Sequence, residues 1–343
     1  MQRGCDLLTF RLRFNCLGKD RSLAALGSSY RIGVYPQVLS YLLKGIEMTP
    51  RTALGALHIG ALMFGLTGVF GKLAAASPAV IVFGRAVFAV LALAAFARFA
   101  SSSRWQKLRA QDGRRLLLGG LLLAGHWVSF FISVKVAGVA IATLGFASFP
   151  AFTVLLEGLI FRERIRANEI WLVVLVSVGL VLVTPNFDLA SGATTGLLWA
   201  VASGLLFALL SLTNRAGSAH VPPVQAALCQ NVVVGLCLLP MAAPQLSDVR
   251  PLDWLWIGLL GVFCTGLAHS LFVASLAVIK ARTAAVVFAM EPVYGIAMAW
   301  WLFDERPTLR MLLGGVVIIA AIVISSQLGG SKKPGVGAQA ASH

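Results

Sequence analysis

Four stretches of this chain, 52–71, 116–134, 136–156 and 311–331, contain no Asp, Glu, Lys or Arg. A helix needs roughly 20 apolar residues to cross the hydrocarbon core of a bilayer. A soluble core has no use for uncharged runs of that length. Inside lipid the backbone finds no water partners, so only helices and closed barrels survive there. No ten-residue alternating pattern suggests a barrel. The reading is therefore an all-α membrane protein with ten transmembrane helices, at about 53–73, 79–98, 115–134, 138–160, 169–185, 193–213, 223–242, 254–275, 282–302 and 309–327. The neutral stretch 216–247 holds Pro222, Pro223, Pro240 and Pro244, which punctuate one span rather than two.

Charge agrees with that reading and sets an orientation. Only 12% of the residues are charged, against about 25% in a soluble domain. The net charge of +15 does not form a nucleic-acid-binding face, because the basic residues sit between the apolar runs. With the N-terminus inside, the inner loops and tail hold fourteen Lys and Arg and the outer loops five. Positive loops stay cytoplasmic, so both termini of this multi-pass chain are placed in the cytoplasm. Residues 1–52 form an N-terminal extension, 53–185 a first five-helix unit, 193–327 a second, and 328–343 a Gly/Ala/Ser/Lys-rich tail read as disordered. Two readings of 1–47 stay open: a flexible cytoplasmic extension, or a segment upstream of a start at Met48.

The two units are related. At a shift of 142 residues Ser133 falls on Ser275, Pro150 on Pro292, Phe161 on Phe303, Glu163 on Glu305 and Arg164 on Arg306. At 143, Phe64 falls on Phe207 and Lys72 on Arg215; at 144, Pro78 falls on Pro222. Apolar composition accounts for shared Leu and Ala, not for a Pro followed by Phe-x-Glu-Arg at one fixed distance. Five spans per unit is an odd number, so the second unit enters the membrane from the opposite side. Inverted repeats of this kind surround a midplane binding site in secondary transporters and allow alternating access.

The paired segments Ala147-Ser148-Phe149-Pro150 … Phe161-Arg162-Glu163-Arg164 and Ala289-Met290-Glu291-Pro292-Val293 … Phe303-Asp304-Glu305-Arg306, with Phe83-Gly84-Arg85-Ala86 in the second span, carry a family likeness. The chain resembles the EamA type of the drug/metabolite transporter superfamily over about 53–327. The resemblance implies a ten-helix inner-membrane carrier around a central cavity that moves amino acids or other small metabolites, often by efflux.

Ionisable groups inside a membrane are costly and usually face a cavity or protein. Glu291 stands midway along the ninth span, directly before Pro292. That proline donates no N–H and opens the helix, so Pro150 and Pro292 are read as hinges. A carboxylate there suits a cationic group or a coupling proton. Arg85, in the second span, suits a carboxylate, because two N–H groups meet two oxygens. His269 overlays Trp127 at the 142 shift, placing both toward one cavity. Tyr294 and Asn231 complete a candidate solute or coupling-ion pocket, with Trp199 beside them. His58, His126 and Glu157 are read as structural. Glu163 and Glu305 are read as structural members of the repeat motif, fixing loops through nearby Arg. Glycines at 55, 60, 65, 68 and 71, and at 258, 261 and 266, give the first and eighth spans small-residue faces for close packing.

No GxxxxGK[ST] supports ATP hydrolysis, and no HExxH, DxxD or GxSxG supports an intramembrane enzyme. Five cysteines without CxxC or Cys/His spacing give neither a disulfide framework nor a metal site. No cofactor, metal or nucleic acid is expected. The expected partners are a small-molecule solute and the lipid bilayer, with a homodimer left open beside a monomer.

Overall fold

A computed structural model describes residues 49–99, 105–161, 165–184, 188, 190–217, 221–268, 271, 275, 279 and 281–328. Among them all regular structure is helical: α1 Pro50–Leu73, α2 Pro78–Phe99, α3 Ala110–Phe146, α4 Phe149–Phe161, α5 Ala167–Val183, α6 Gly192–Gly217, α7 Pro223–Ala242, α8 Pro251–Gly261, α9 Ala281–Phe288, α10 Glu291–Phe303 and α11 Leu309–Leu328. A 3-10 turn, Ala243–Asp248, follows α7, and a π turn, Val262–Leu267, continues α8. Seven helical runs are long and apolar enough to cross a membrane, α9 and α10 contributing one of them as Val286–Phe303. Three shorter apolar runs accompany them: Phe149–Ile160, Glu169–Val183 and Pro251–Leu267. The outer surface is apolar, with Leu159, Trp301, Leu236 and Leu309 all strongly exposed. In water such a surface would drive association; in lipid it is the solvated face.

Four of the helices begin where a polar side chain meets backbone N–H groups at the first turn. Thr49 caps α1 ahead of Pro50, accepting from the Thr52 N–H at 3.3 Å. Ser77 does the same before Pro78, accepting from Val80 at 3.4 Å. Asp112 and Glu169 reach back to the N–H groups of Arg109 and Arg166, at 3.0 and 2.7 Å.

Three breaks shape the interior. Within α3 the backbone leaves helical geometry at Gly138 (φ 85°, ψ 174°), a left-handed position that a side chain would strain. The other two form a matched pair. α3 stops at Ala147-Ser148 before Phe149-Pro150, and α9 stops at Ala289-Met290 before Glu291-Pro292. At each break the last turn tightens, with Ser148 N–H on Gly145 O at 3.2 Å and Met290 N–H on Val287 O at 3.1 Å. Helical bonding then resumes from Phe152 to Ser148 and from Tyr294 to Met290. Pro150 and Pro292 are both buried. Neither has an N–H to carry the ladder through.

Packing pairs elements across the two halves. α1 packs on α10 and α6 on α4; α2 meets α7 and α5 meets α11. Exchanging the halves maps each of these pairings onto another or onto itself. Small residues set two of the crossings. A Cβ on Gly65 would lie 2.8 Å from the Glu291 carbonyl and 2.9 Å from the Gly295 nitrogen, and one on Gly295 would lie 3.0 Å from the Gly65 carbonyl. Gly179 and Gly314 face each other in the same way between α5 and α11. The main core, around Phe131, Val80, Val82, Ile257, Leu260 and Ala299, sits under the central cluster described next.

Candidate functional site

Arg85 is 4% exposed in the middle of the bundle. Backbone contact puts it there. A Cβ on Gly261 would lie 2.7 Å from the Arg85 carbonyl, and one on Gly84 would lie 2.5 Å from Ile257, so α2 and α8 touch main chain to main chain. The π turn then presents Thr265. Its hydroxyl donates to the Leu260 carbonyl five residues back at 2.9 Å, and its oxygen accepts from Arg85 Nε at 2.8 Å. The guanidinium lies over Trp127, with Cζ 4.0 Å from the ring centroid, and 5.9 Å from that of Phe131. A desolvated cation over a Trp face gains about 2 kcal/mol or more. One hydrogen bond and two rings fix the side chain while its terminal nitrogens bond no other described residue.

Glu291 enters from the second half, in the first turn of α10. Its carboxylate is half-buried and accepts no hydrogen bond among the described residues. The Arg85 charge acts on it across the site without an ion pair between them. The Cys264 thiol, fully buried on the π turn, lies in the field of both. Beside it the Thr67 hydroxyl of α1 is buried, within reach of the Cys264 thiol. The cluster thus draws on α1, α2 and α3 of the first half and on α8 with its π turn and α10 of the second. It holds one fixed cation and one carboxylate that bonds no other described residue.

Of the residues singled out in the sequence, Arg85, Trp127 and Glu291 come together here. Tyr294 lies one turn beyond Glu291, and its hydroxyl is 2.8 Å from His58 Nδ1 on α1. Asn231 is buried on α7; its amide donates to the Ala227 carbonyl at 2.8 Å and its oxygen has no partner. No described bond links Asn231 to Arg85 or Glu291. Trp199 is 42% exposed on α6. Glu157 is half-buried on α4. His126 is structural in its contacts: Nδ1 lies 2.7 Å from Ser203 Oγ, and the ring packs between Phe146 and Phe207. His269 and Glu163 lie outside the described residues, as do 1–48 and 329–343.

Two features differ from the sequence reading or escaped it. Glu305 does not pair with its neighbour Arg306, which bonds Asp304 at 2.8 Å. Glu305 reaches Lys72 on α1 and accepts the Val139 N–H at 3.0 Å. The second is an Arg-x-x-Asp at the start of the third and eighth apolar runs, Arg109/Asp112 and Arg250/Asp253, repeating at a shift of 141. Asp253 accepts from Arg250 at 2.8 and 2.9 Å and from the Ala75 N–H at 2.9 Å. Those bonds tie the first turn of α8 to the end of α1, and the repeat at 141 is the signal that would have found them.

The family model described as "EamA-like transporter family" matches the chain twice, over residues 51–184 and 194–327. An uncharacterized transporter of Bacillus subtilis is 24% identical over 279 residues, covering 80% of this chain and 89% of that one. The threonine/homoserine exporter RhtA of Salmonella typhimurium is 30% identical over 239 residues, covering 67% and 77%. A solved crystal structure with 16% identity superposes with a TM-score of 0.56 over 81% of this chain and 98% of its own, a likeness of fold.

Proposed function

The chain belongs to the EamA-like transporter family, and from that premise we propose that it is a secondary carrier that exports small zwitterionic metabolites such as amino acids. It is a multi-pass membrane protein and a small-molecule transporter by family. The finer reading is supported by one observation: a fixed guanidinium from the first half acts electrostatically on a carboxylate from the second that bonds no other described residue. A solute carboxylate pairs with the free edge of Arg85, and its ammonium with Glu291. That RhtA is named a threonine/homoserine exporter is in keeping with such a solute.

The carrier reading includes ten crossings in two inverted halves, both termini cytoplasmic, in the inner membrane. The odd span number, the Lys/Arg bias and the reciprocal pairings of α1 with α10 and α4 with α6 support it. The broken helices before Pro150 and Pro292 are where each half changes shape between the two access states. Coupling follows from the chemistry of one carboxylate. Glu291 holds either a proton or an ammonium group, not both. Proton entry from the more acidic outer side therefore discharges the solute outward, and solute binding inside releases the proton there.

Untargeted metabolite profiling of cells and medium tests this, comparing wild type, Glu291→Gln and an empty vector at matched membrane expression. The expected result is one class of zwitterion enriched in the medium with wild type alone. Enrichment that persists unchanged in Glu291→Gln would remove the carboxylate from the mechanism.

A further inference from the structure

Four of the five helices that line the central site end in one polar cluster. Lys72 and the Ala74 carbonyl close α1, and Asp253 opens α8. Val139 follows the break in α3, and Glu305 follows α10. Lys135 donates to the Ala74 carbonyl, and Asp253 holds the Ala75 N–H. At the centre stands Glu305. One carboxylate oxygen takes the Lys72 ammonium, and the other caps the Val139 N–H. The Lys72 ammonium also lies 4.6 Å from the Phe303 ring centroid. Gly138 is bare against this carboxylate: a Cβ there would lie 2.9 Å from Oε1. The pair is partly sheltered, with the Lys72 and Glu305 side chains 34% and 18% exposed, so salt screens it less than a surface pair.

We infer that the Lys72–Glu305 contact is the latch that holds the site closed toward this end of the bundle, the outer end in the orientation proposed above. It joins the two halves directly above the helices that carry Thr67, Trp127 and Glu291. Opening that end means separating the end of α1 and the restart of α3 from the end of α10, and the latch spans all three. Its strength therefore sets how often the outward-open state is visited. The repeat supplies a second acid and base, Glu163 of the first half and Arg215 of the second, at shifts of 142 and 143 from Glu305 and Lys72.

This rests on the carrier reading, but its test needs no known solute. The full chain is made with Cys5, Cys16, Cys229 and Cys237 replaced by Ser. That leaves Cys264, buried beside Arg85, as the one thiol. A membrane-impermeant thiol reagent is applied to right-side-out and to inside-out vesicles. Lys72→Met and Glu305→Gln each speed labelling from the outer face at least about fivefold. Neither speeds it from the inner face, and the double variant adds little. Lys72→Arg labels as wild type. Unchanged outer labelling, or equal gains from both faces, overturns the latch. Should Glu305→Gln fail to reach the membrane, Lys72→Met leaves the Val139 cap in place and decides alone. Wild-type labelling rates in the variants of a chain that transports remove the latch only, and a wild type that moves no solute removes the carrier reading only.

Discussion

Arg85 illustrates what a single residue has to satisfy in this setting. Its charge is expensive in a bilayer unless fixed and shared, and Trp127 and Thr265 supply both conditions. Lys is no substitute, because an ammonium has neither a flat face for the ring nor two parallel N–H groups for a carboxylate. Arg85→Lys is expected to raise the KM for a zwitterionic solute about tenfold or more, the scale of 1.4 kcal/mol. Trp127→Phe, which keeps a weaker ring under the cation, is expected to cost less. Solute-dependent transport kinetics in vesicles measure both; equal, small effects would place the solute elsewhere. At this scale the sequence singled out Arg85 and Glu291 because each is an ionisable residue within an apolar run, and Trp127 because the repeat overlays it on His269. It did not disclose Thr265, Cys264 or Thr67. These are ordinary side chains in a membrane helix; the π turn and the backbone contact at Gly261 bring Thr265 and Cys264 to Arg85, and Thr67 of α1 meets Cys264 from the other side. Asn231 shows the reverse: a polar residue in a span that spends its amide on its own helix.

Among the elements, the decisive ones are interrupted helices held by close backbone crossings. The breaks before Pro150 and Pro292 were legible, since proline's missing N–H is a local fact. The break at Gly138 was not, because a glycine in an apolar run reads equally as a packing residue. Not all glycines of the first span act alike either. Gly65 touches the backbone of the broken ninth span, whereas a Cβ on Gly55 meets nothing within 4 Å. Gly65→Ala is therefore expected to destabilise by about 1–3 kcal/mol through overpacking against atoms that cannot rotate away. It should also slow transport, because Glu291 and Gly295 are displaced. Gly55→Ala is expected to be neutral or mildly stabilising, since Ala favours the helix by roughly 0.5–1 kcal/mol. Thermal unfolding in detergent, read beside transport, compares the pair; similar losses from both would mean the seam is not specific.

As a whole, the molecule pairs two related halves that have diverged at the site. Where the second half carries Glu291, the first carries Phe149, packed at 5.3 Å against Phe146 and 5.1 Å against Phe207. His126, bonded to Ser203, fills the same corner. The corner equivalent to that of Glu291 is thus filled by aromatic side chains from both halves, so the proposed carrier has one solute site per chain rather than two. The repeat at 142 marked out the two halves that the family model matches, because a proline and a Phe-x-Glu-Arg stand out from apolar composition. The asymmetry of the site required knowing which phenylalanines meet. The most direct test of this account is exchange of labelled neutral amino acids across proteoliposomes containing purified protein, with and without a pH gradient, for wild type and Glu291→Gln. The account predicts that wild type exchanges at least one of them and concentrates it against its gradient when the opposite side is acidified, and that Glu291→Gln loses the pH-driven accumulation. Accumulation that is equally strong in Glu291→Gln, or exchange of cations and neutral solutes in preference to zwitterions, would contradict it.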